Sequence, residues 1–201
     1  MTRLAAAAVA FLTLFDADVA AQRLTGPKPA PVVPAPVALD TTGMFLGKFA
    51  RVGDDVFIGG QPTERALREL QAQGVTTVVN LRTPEEMTRN VPFDEAVLVR
   101  SLGMTYVYIP MRGTAEYPYS PAAVTKFAEA MRGTNGKLLL HCTVAWRASH
   151  LWGAYLIKER GVPVDSALAN ARAINLSDER PPIEQLLDQS LPTFGRAPRS
   201  P

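Results

Sequence analysis

The chain has 201 residues, 47% of them hydrophobic, enough apolar side chain for one well-buried core. With 21 Lys and Arg against 19 Asp and Glu, a net charge of +2 gives no polyanion-binding signature, and no basic stripe with interleaved aromatics points to nucleic acid. The single cysteine excludes an internal disulfide.

In chain order, residues 1–21 show a cationic start (Met1, Thr2, Arg3), an apolar run from Leu4 to Phe15 and the small-residue pattern Val19-Ala20-Ala21 before Gln22. That is the order of a secretory signal peptide, and the run is shorter than the roughly 20 residues a bilayer span needs. The expectation is an exported protein, periplasmic or secreted, with no stable membrane insertion after cleavage. Residues 22–40 include GPKPAPVVPAPVAL, which carries five of the chain's 17 prolines, and read as an extended linker. The folded domain is expected over 41–190, with a disordered tail over 191–201.

Within the domain, KFARV (48–52) and VFIGG (56–60) read as short strands about the turn Gly53-Asp54-Asp55. Pro62-Thr63-Glu64 opens a helix with Ala66, Leu67 and Leu70 on one face, ended by Gly74. VTTVVNL (75–81) reads as a buried strand, 92–102 as a helix closed by Gly103, and MTYVYIP (104–110) as a strand. Ser120 and Pro121 start a helix that runs through Val124, Phe127, Ala128 and Met131 to Gly133. KLLLHC (137–142) is an apolar strand of the kind covered on both faces. RASHLWGAYLIKERG (147–161) is a helix with Leu151, Trp152, Tyr155 and Leu156 at core spacing, and a helical pair follows at 163–174 and 181–190. This alternation predicts an α/β domain with a mainly parallel central sheet flanked by helices. Ligands of such sheets bind beyond the carboxyl ends of the strands.

One such end is CTVAWR (142–147), between the apolar strand and a helix. Backbone N–H groups entering a helix, together with its dipole, suit an anion. The same field favours the thiolate of a cysteine at the base of the loop. Arg147 adds a planar fork that binds two oxygens of a phosphate. A lone cysteine is either a buried small hydrophobe or a reactive thiol. Thiolate, anion nest and arginine together describe nucleophilic attack on phosphorus.

HC-x4-R after an apolar strand resembles the loop of the cysteine-dependent protein tyrosine and dual-specificity phosphatases, usually HC-x5-R. The shorter spacing is similar to that of a bacterial branch of this superfamily, also found joined to β-lactamase-like hydrolases, whose loop commonly reads HC-x-x-G-x-R. GGQPTERALRELQAQGVTTVVNLR (59–82) resembles that branch's Gly-Gln-Pro turn, helix and Val-Asn-Leu-Arg strand, and GMTYVYIPM (103–111) its following strand. The resemblance covers roughly residues 48–160. It implies a phosphatase-like fold hydrolysing phosphomonoesters, whether a phosphorylated protein or a small molecule, with no cofactor and no metal. Carried over, it makes Cys142 the nucleophile of a phosphocysteine intermediate. It makes Arg147 the holder of the phosphoryl oxygens, helped by backbone N–H groups of Thr143, Val144, Ala145 and Trp146. It has His141 tune the thiol through hydrogen bonds.

Ala145 stands where that branch has glycine, and a positive φ there would strain it. Ala148 takes a place often held by Ser or Thr, with Ser149 one position late, and His150 reads as a helix residue near the pocket. Trp146 is bulky for such a loop; with Val144 it would favour an aromatic leaving group. Family members often carry a general-acid aspartate after the preceding strand. PMRGTAEYPYSP (110–121) has none, which leaves Glu116 as the candidate. Arg82 and Arg112, each following a strand, are candidates to face the pocket. Two other classes stay open. A catalytically degenerate anion- or phosphopeptide-binding protein is favoured by Ala145 and Ala148. A rhodanese-like sulfurtransferase is opposed by the Gly-Gln-Pro and Val-Asn-Leu-Arg segments. His141, Cys142 and His150 do not converge on a metal from a loop and the far side of a helical turn.

Overall fold

The computed structural model describes residues 30–177 and 181–191. The chain divides into residues 1–30 and 31–201, and the domain is the second unit. The expected signal peptide and the expected tail from residue 192 lie outside the described residues.

Strands β1 (Pro36–Ala38), β2 (Phe49–Val52), β3 (Val56–Gly59), β4 (Val75–Asn80), β5 (Thr105–Tyr108) and β6 (Lys137–His141) form one sheet in the order β1-β2-β3-β6-β4-β5. The first three are an antiparallel meander, and β3, β6, β4 and β5 pair in parallel. The mainly parallel α/β sheet is the architecture the alternation predicts. The linker expectation needs one correction, because residues 36–38 are an edge strand on β2. Proline donates no ladder hydrogen bond and is therefore tolerated at a sheet edge. The segment is also tied down by Asn170 Nδ2, which donates to the Pro34 carbonyl at 2.8 Å.

Helices α1 (Glu64–Ala72), α2 (Pro84–Asn90), α3 (Glu95–Ser101), α4 (Pro121–Gly133), α5 (Trp146–Lys158), α6 (Val164–Arg172) and α7 (Pro181–Leu187) complete the domain. Alternation along the strands divides the core in two. Leu138, Leu140, Val56 and Ile58 join the cluster that contains Phe127 of α4, Leu151 of α5, Leu168 of α6 and Ile183 of α7. Leu139 and Phe57 join Leu67 of α1 and Val99 of α3 on the other side. That two-sided burial is why β6 reads as an unbroken apolar run. None of the α2 residues is buried, so apolar periodicity could not reveal this helix. It is set instead by Pro84 in the first turn and a Thr83–Glu86 capping box.

The register lines up Gly59, His141, Asn80 and Tyr108 across the four parallel strands. The segments that follow these residues therefore emerge side by side at the carboxyl edge. Gly60 locks two of them together. A Cβ there would lie 1.5 Å from the Leu46 carbonyl oxygen and 2.8 Å from that of Thr143, so only glycine lets the three backbones converge.

Candidate active site

Cys142 follows β6 and is 1% exposed. The loop returns to α5 through Ala145, at φ 70° and ψ −4° in the left-handed region. An alanine pays a Cβ–carbonyl clash there that glycine avoids. Ala145→Gly is accordingly expected to raise the unfolding free energy by about 1 kcal/mol net, read as a higher urea midpoint. A lower midpoint would show that the turn is not strained.

The loop is braced from several sides. Gln61 N donates to the Thr143 carbonyl at 2.9 Å, Gly60 and Val144 form an antiparallel bridge, and Asn175 Nδ2 donates to the Val144 carbonyl at 2.7 Å. Trp146 Nε1 donates to Ser177 Oγ at 2.9 Å, and its ring packs on His150. Val144 lies against Gly47, where an added Cβ would sit 3.0 Å from its own. The side chains of Val144 and Trp146 thus take part in bracing the loop. Ser149 Oγ donates to the Ala145 carbonyl at 2.8 Å, closing the first helical turn, and His150 Nδ1 pairs with the Trp146 carbonyl at 2.8 Å.

Arg147 is 7% exposed and its terminal nitrogens are fully engaged. Nη1 donates to Glu86 Oε2 at 2.8 Å and to the Met111 carbonyl at 2.9 Å, while Nη2 donates to Glu86 Oε1 and Thr143 Oγ1, each at 2.8 Å. Nε makes no hydrogen bond among the described residues, so the guanidinium is gripped at its end with its Nε edge left for a ligand. Glu86 is the site residue that reading the sequence missed; the capping-box pattern TPEE was the available signal. Burial pushes its carboxyl up, but the hydrogen bonds from Arg147 and the Thr83 N–H outweigh this and bring it down to about 2. A carboxylate lowered on folding stabilises the protein above its ordinary 4.5, and this stabilisation is lost as pH falls toward about 2. Wild type is expected to lose urea resistance over that window more steeply than Glu86→Gln; parallel curves would contradict the pairing.

Arg112 is exposed, with Nη1 3.8 Å from Glu86 Oε1, and so stands at the rim of the site. Arg82 is instead 1% exposed, Nη1 donating to Gln61 Oε1 at 2.8 Å and Nη2 to the Glu86 carbonyl at 3.1 Å. It props the Gly-Gln-Pro turn and α2 through both terminal nitrogens and lines the cavity beside the loop. Glu116 is exposed. It shares no hydrogen bond or ion pair with the 142–147 loop among the described residues.

Behind the loop lies a buried polar network that was also invisible in the sequence. His141 Nε2 is 3.0 Å from Glu95 Oε1, and both residues are essentially unexposed. Asn80 Nδ2 donates to the same oxygen at 3.0 Å, and Gln61 Nε2 donates to Glu95 Oε2. Burial pushes the Glu95 carboxyl up, yet the His141 charge and these hydrogen bonds hold it below the usual carboxylate range. Gln61, Asn80 and His141, taken from the Gly-Gln-Pro, Val-Asn-Leu-Arg and His-Cys segments, thus meet on one carboxylate.

The family described as "DSP-PTPase phosphatase fused to NAD+ kinase" matches residues 50–186. The chain belongs to that family. The DSP-PTPase fold is shared with a protein assigned as a DUF442 phosphatase from Shewanella putrefaciens CN-32, 26% identical at a TM-score of 0.56 over 73% of this chain and 91% of that one. It is shared also with PTPMT1 in complex with PI(5)P, 18% identical at a TM-score of 0.59 over 70% and 92% of the two chains. A β-lactamase hydrolase-like protein of Xylella fastidiosa (strain Temecula1 / ATCC 700964) is 28% identical over 107 residues, 52% of this chain and 24% of that protein. The match thus spans about a quarter of the length of that curated relative.

Proposed function

We propose that this DSP-PTPase hydrolyses phosphomonoesters through a phosphocysteine at Cys142 after export from the cell. The observation that carries the reading is the largely shielded Glu86–Arg147 ion pair, which fixes a guanidinium at the start of the helix that follows the thiol's loop, at the carboxyl edge of the sheet. Phosphoryl oxygens meet the Nε edge of Arg147 and the backbone N–H groups of 143–147. The Cys142 thiolate attacks phosphorus, the S–P bond forms as the P–O bond to the alcohol breaks, and the alcohol oxygen takes a proton. Water then cleaves the S–P bond, releasing inorganic phosphate and the thiolate. Glu116 can supply the first proton only if the 112–119 loop closes over the substrate. p-Nitrophenyl phosphate, whose anion leaves without protonation, avoids that requirement. His141, held by Glu95, orients the base of the loop. Phosphate-bearing ligands in solved neighbours, PI(5)P in PTPMT1 and pTyr in P. aeruginosa TpbA, support a phosphorylated substrate. The pattern of residues 1–21 supports export to the periplasm or beyond.

Because Cys142 is the chain's single cysteine, iodoacetamide labels one site. Under reducing conditions, alkylation is expected to abolish p-nitrophenyl phosphate hydrolysis in proportion to label, and inorganic phosphate to protect. Activity that survives full alkylation would contradict the reading. The strained Ala145 and the exposed Glu116 favour a second reading, an anion binder without turnover, for which phosphate protection persists but no hydrolysis is seen.

A further inference from the structure

A cavity of about 810 Å³ opens beside the loop, lined by Phe45, Leu46, Pro62, Val91, Phe93 and Thr143 among others. Its size and largely apolar wall are those of a small-molecule site. It begins one side chain from the guanidinium, since Thr143 Oγ1 accepts from Arg147 Nη2 at 2.8 Å. The buried Arg82 also lines it, its terminal nitrogens held by Gln61 and the Glu86 carbonyl.

Several backbone donors of its wall are already spent. Phe45 N donates to the Thr41 carbonyl, Leu46 N to that of Gln61, Thr63 N to that of Met44 and Val91 N to that of Met87. Pro62 and Pro92, both lining residues, have no N–H at all. The apolar stretch of such a wall offers a hydrocarbon chain continuous contact. Leu46, 54% exposed, extends the apolar surface to the mouth.

We propose that the cavity takes the chain of a long aliphatic phosphomonoester, its phosphoryl group at Arg147 and its alkyl body along Phe45, Leu46, Val91 and Phe93. The headgroup placement rests on the phosphatase reading above; the chain site does not. The test is calorimetric binding of non-hydrolysable methyl-, butyl-, octyl- and dodecylphosphonate below their micellar concentrations, to wild type and Leu46→Glu. Alongside it, kcat/KM is measured for the matching alkyl phosphates and a phosphotyrosyl peptide.

Affinity is expected to rise by up to about fourfold per added methylene until the cavity fills, the gain each buried CH₂ gives. Leu46→Glu is expected to flatten the series, and kcat/KM for dodecyl phosphate to exceed that for the peptide. Equal affinity along the series, or a preference for the peptide, would overturn the proposal. Chain-length-dependent binding without hydrolysis of any ester would leave the cavity assignment standing and sink the enzyme reading. Hydrolysis indifferent to chain length would do the reverse.

Discussion

Changing Cys142 to serine is expected to lower kcat for p-nitrophenyl phosphate by about 10⁴-fold or more, with KM little changed. A serine hydroxyl is a far weaker nucleophile than sulfur, and the neighbouring hydroxyls are engaged elsewhere. Thr143 Oγ1 accepts from Arg147 Nη2, and Ser149 Oγ donates to the Ala145 carbonyl. The substitution is small at a buried position, so the loop should hold its shape and the variant should still bind inorganic phosphate. A rate within tenfold of wild type, with intact phosphate binding, would remove Cys142 from the chemistry.

Replacing Glu86 by alanine is expected to lower kcat/KM by about 10²-fold, because breaking one partner of a largely buried ion pair leaves an uncompensated charge. Arg147 would keep its bonds to the Met111 carbonyl and Thr143 Oγ1, but the two-pronged carboxylate contact that fixes the direction of the guanidinium would be gone. The loss should fall mainly on KM, since the Nε edge binds phosphoryl oxygens in the ground state as well as the transition state. Glu86→Gln keeps an acceptor on the arginine and should lose less. An alanine variant with wild-type kcat/KM would show that the fork needs no support.

The contrast between Cys142 and Glu86 shows what the sequence could reveal. Cys142 and Arg147 are five positions apart on one strand–loop–helix unit, so their meeting is a matter of local spacing. Glu86 reaches Arg147 across 61 positions and Glu95 reaches His141 across 46; in the sequence, both look like ordinary acidic residues of a helix first turn. They reach these partners only because the parallel register sets the ends of β4 and β6 side by side. The direction of the Trp146 ring was illegible for the same reason, being set by Ser177, 31 positions away. The sheet itself was legible because alternation and apolar runs are local signals. The edge strand at 36–38 was not, since its prolines say only that the chain is extended. Ala145 lies between these cases: its residue type raised the question of a positive φ, and the backbone answers it at 70°.

The most direct measurement is trapping of the intermediate. Wild-type enzyme mixed with excess p-nitrophenyl phosphate, quenched under denaturing conditions within one turnover, is digested and examined by mass spectrometry. One phosphoryl group is predicted on the peptide that contains Cys142, disappearing on dilution into buffer at a rate no slower than kcat. Turnover with no phosphorylated Cys142 peptide at any quench time, or a phosphoryl group on another residue that turns over at kcat, would contradict the mechanism.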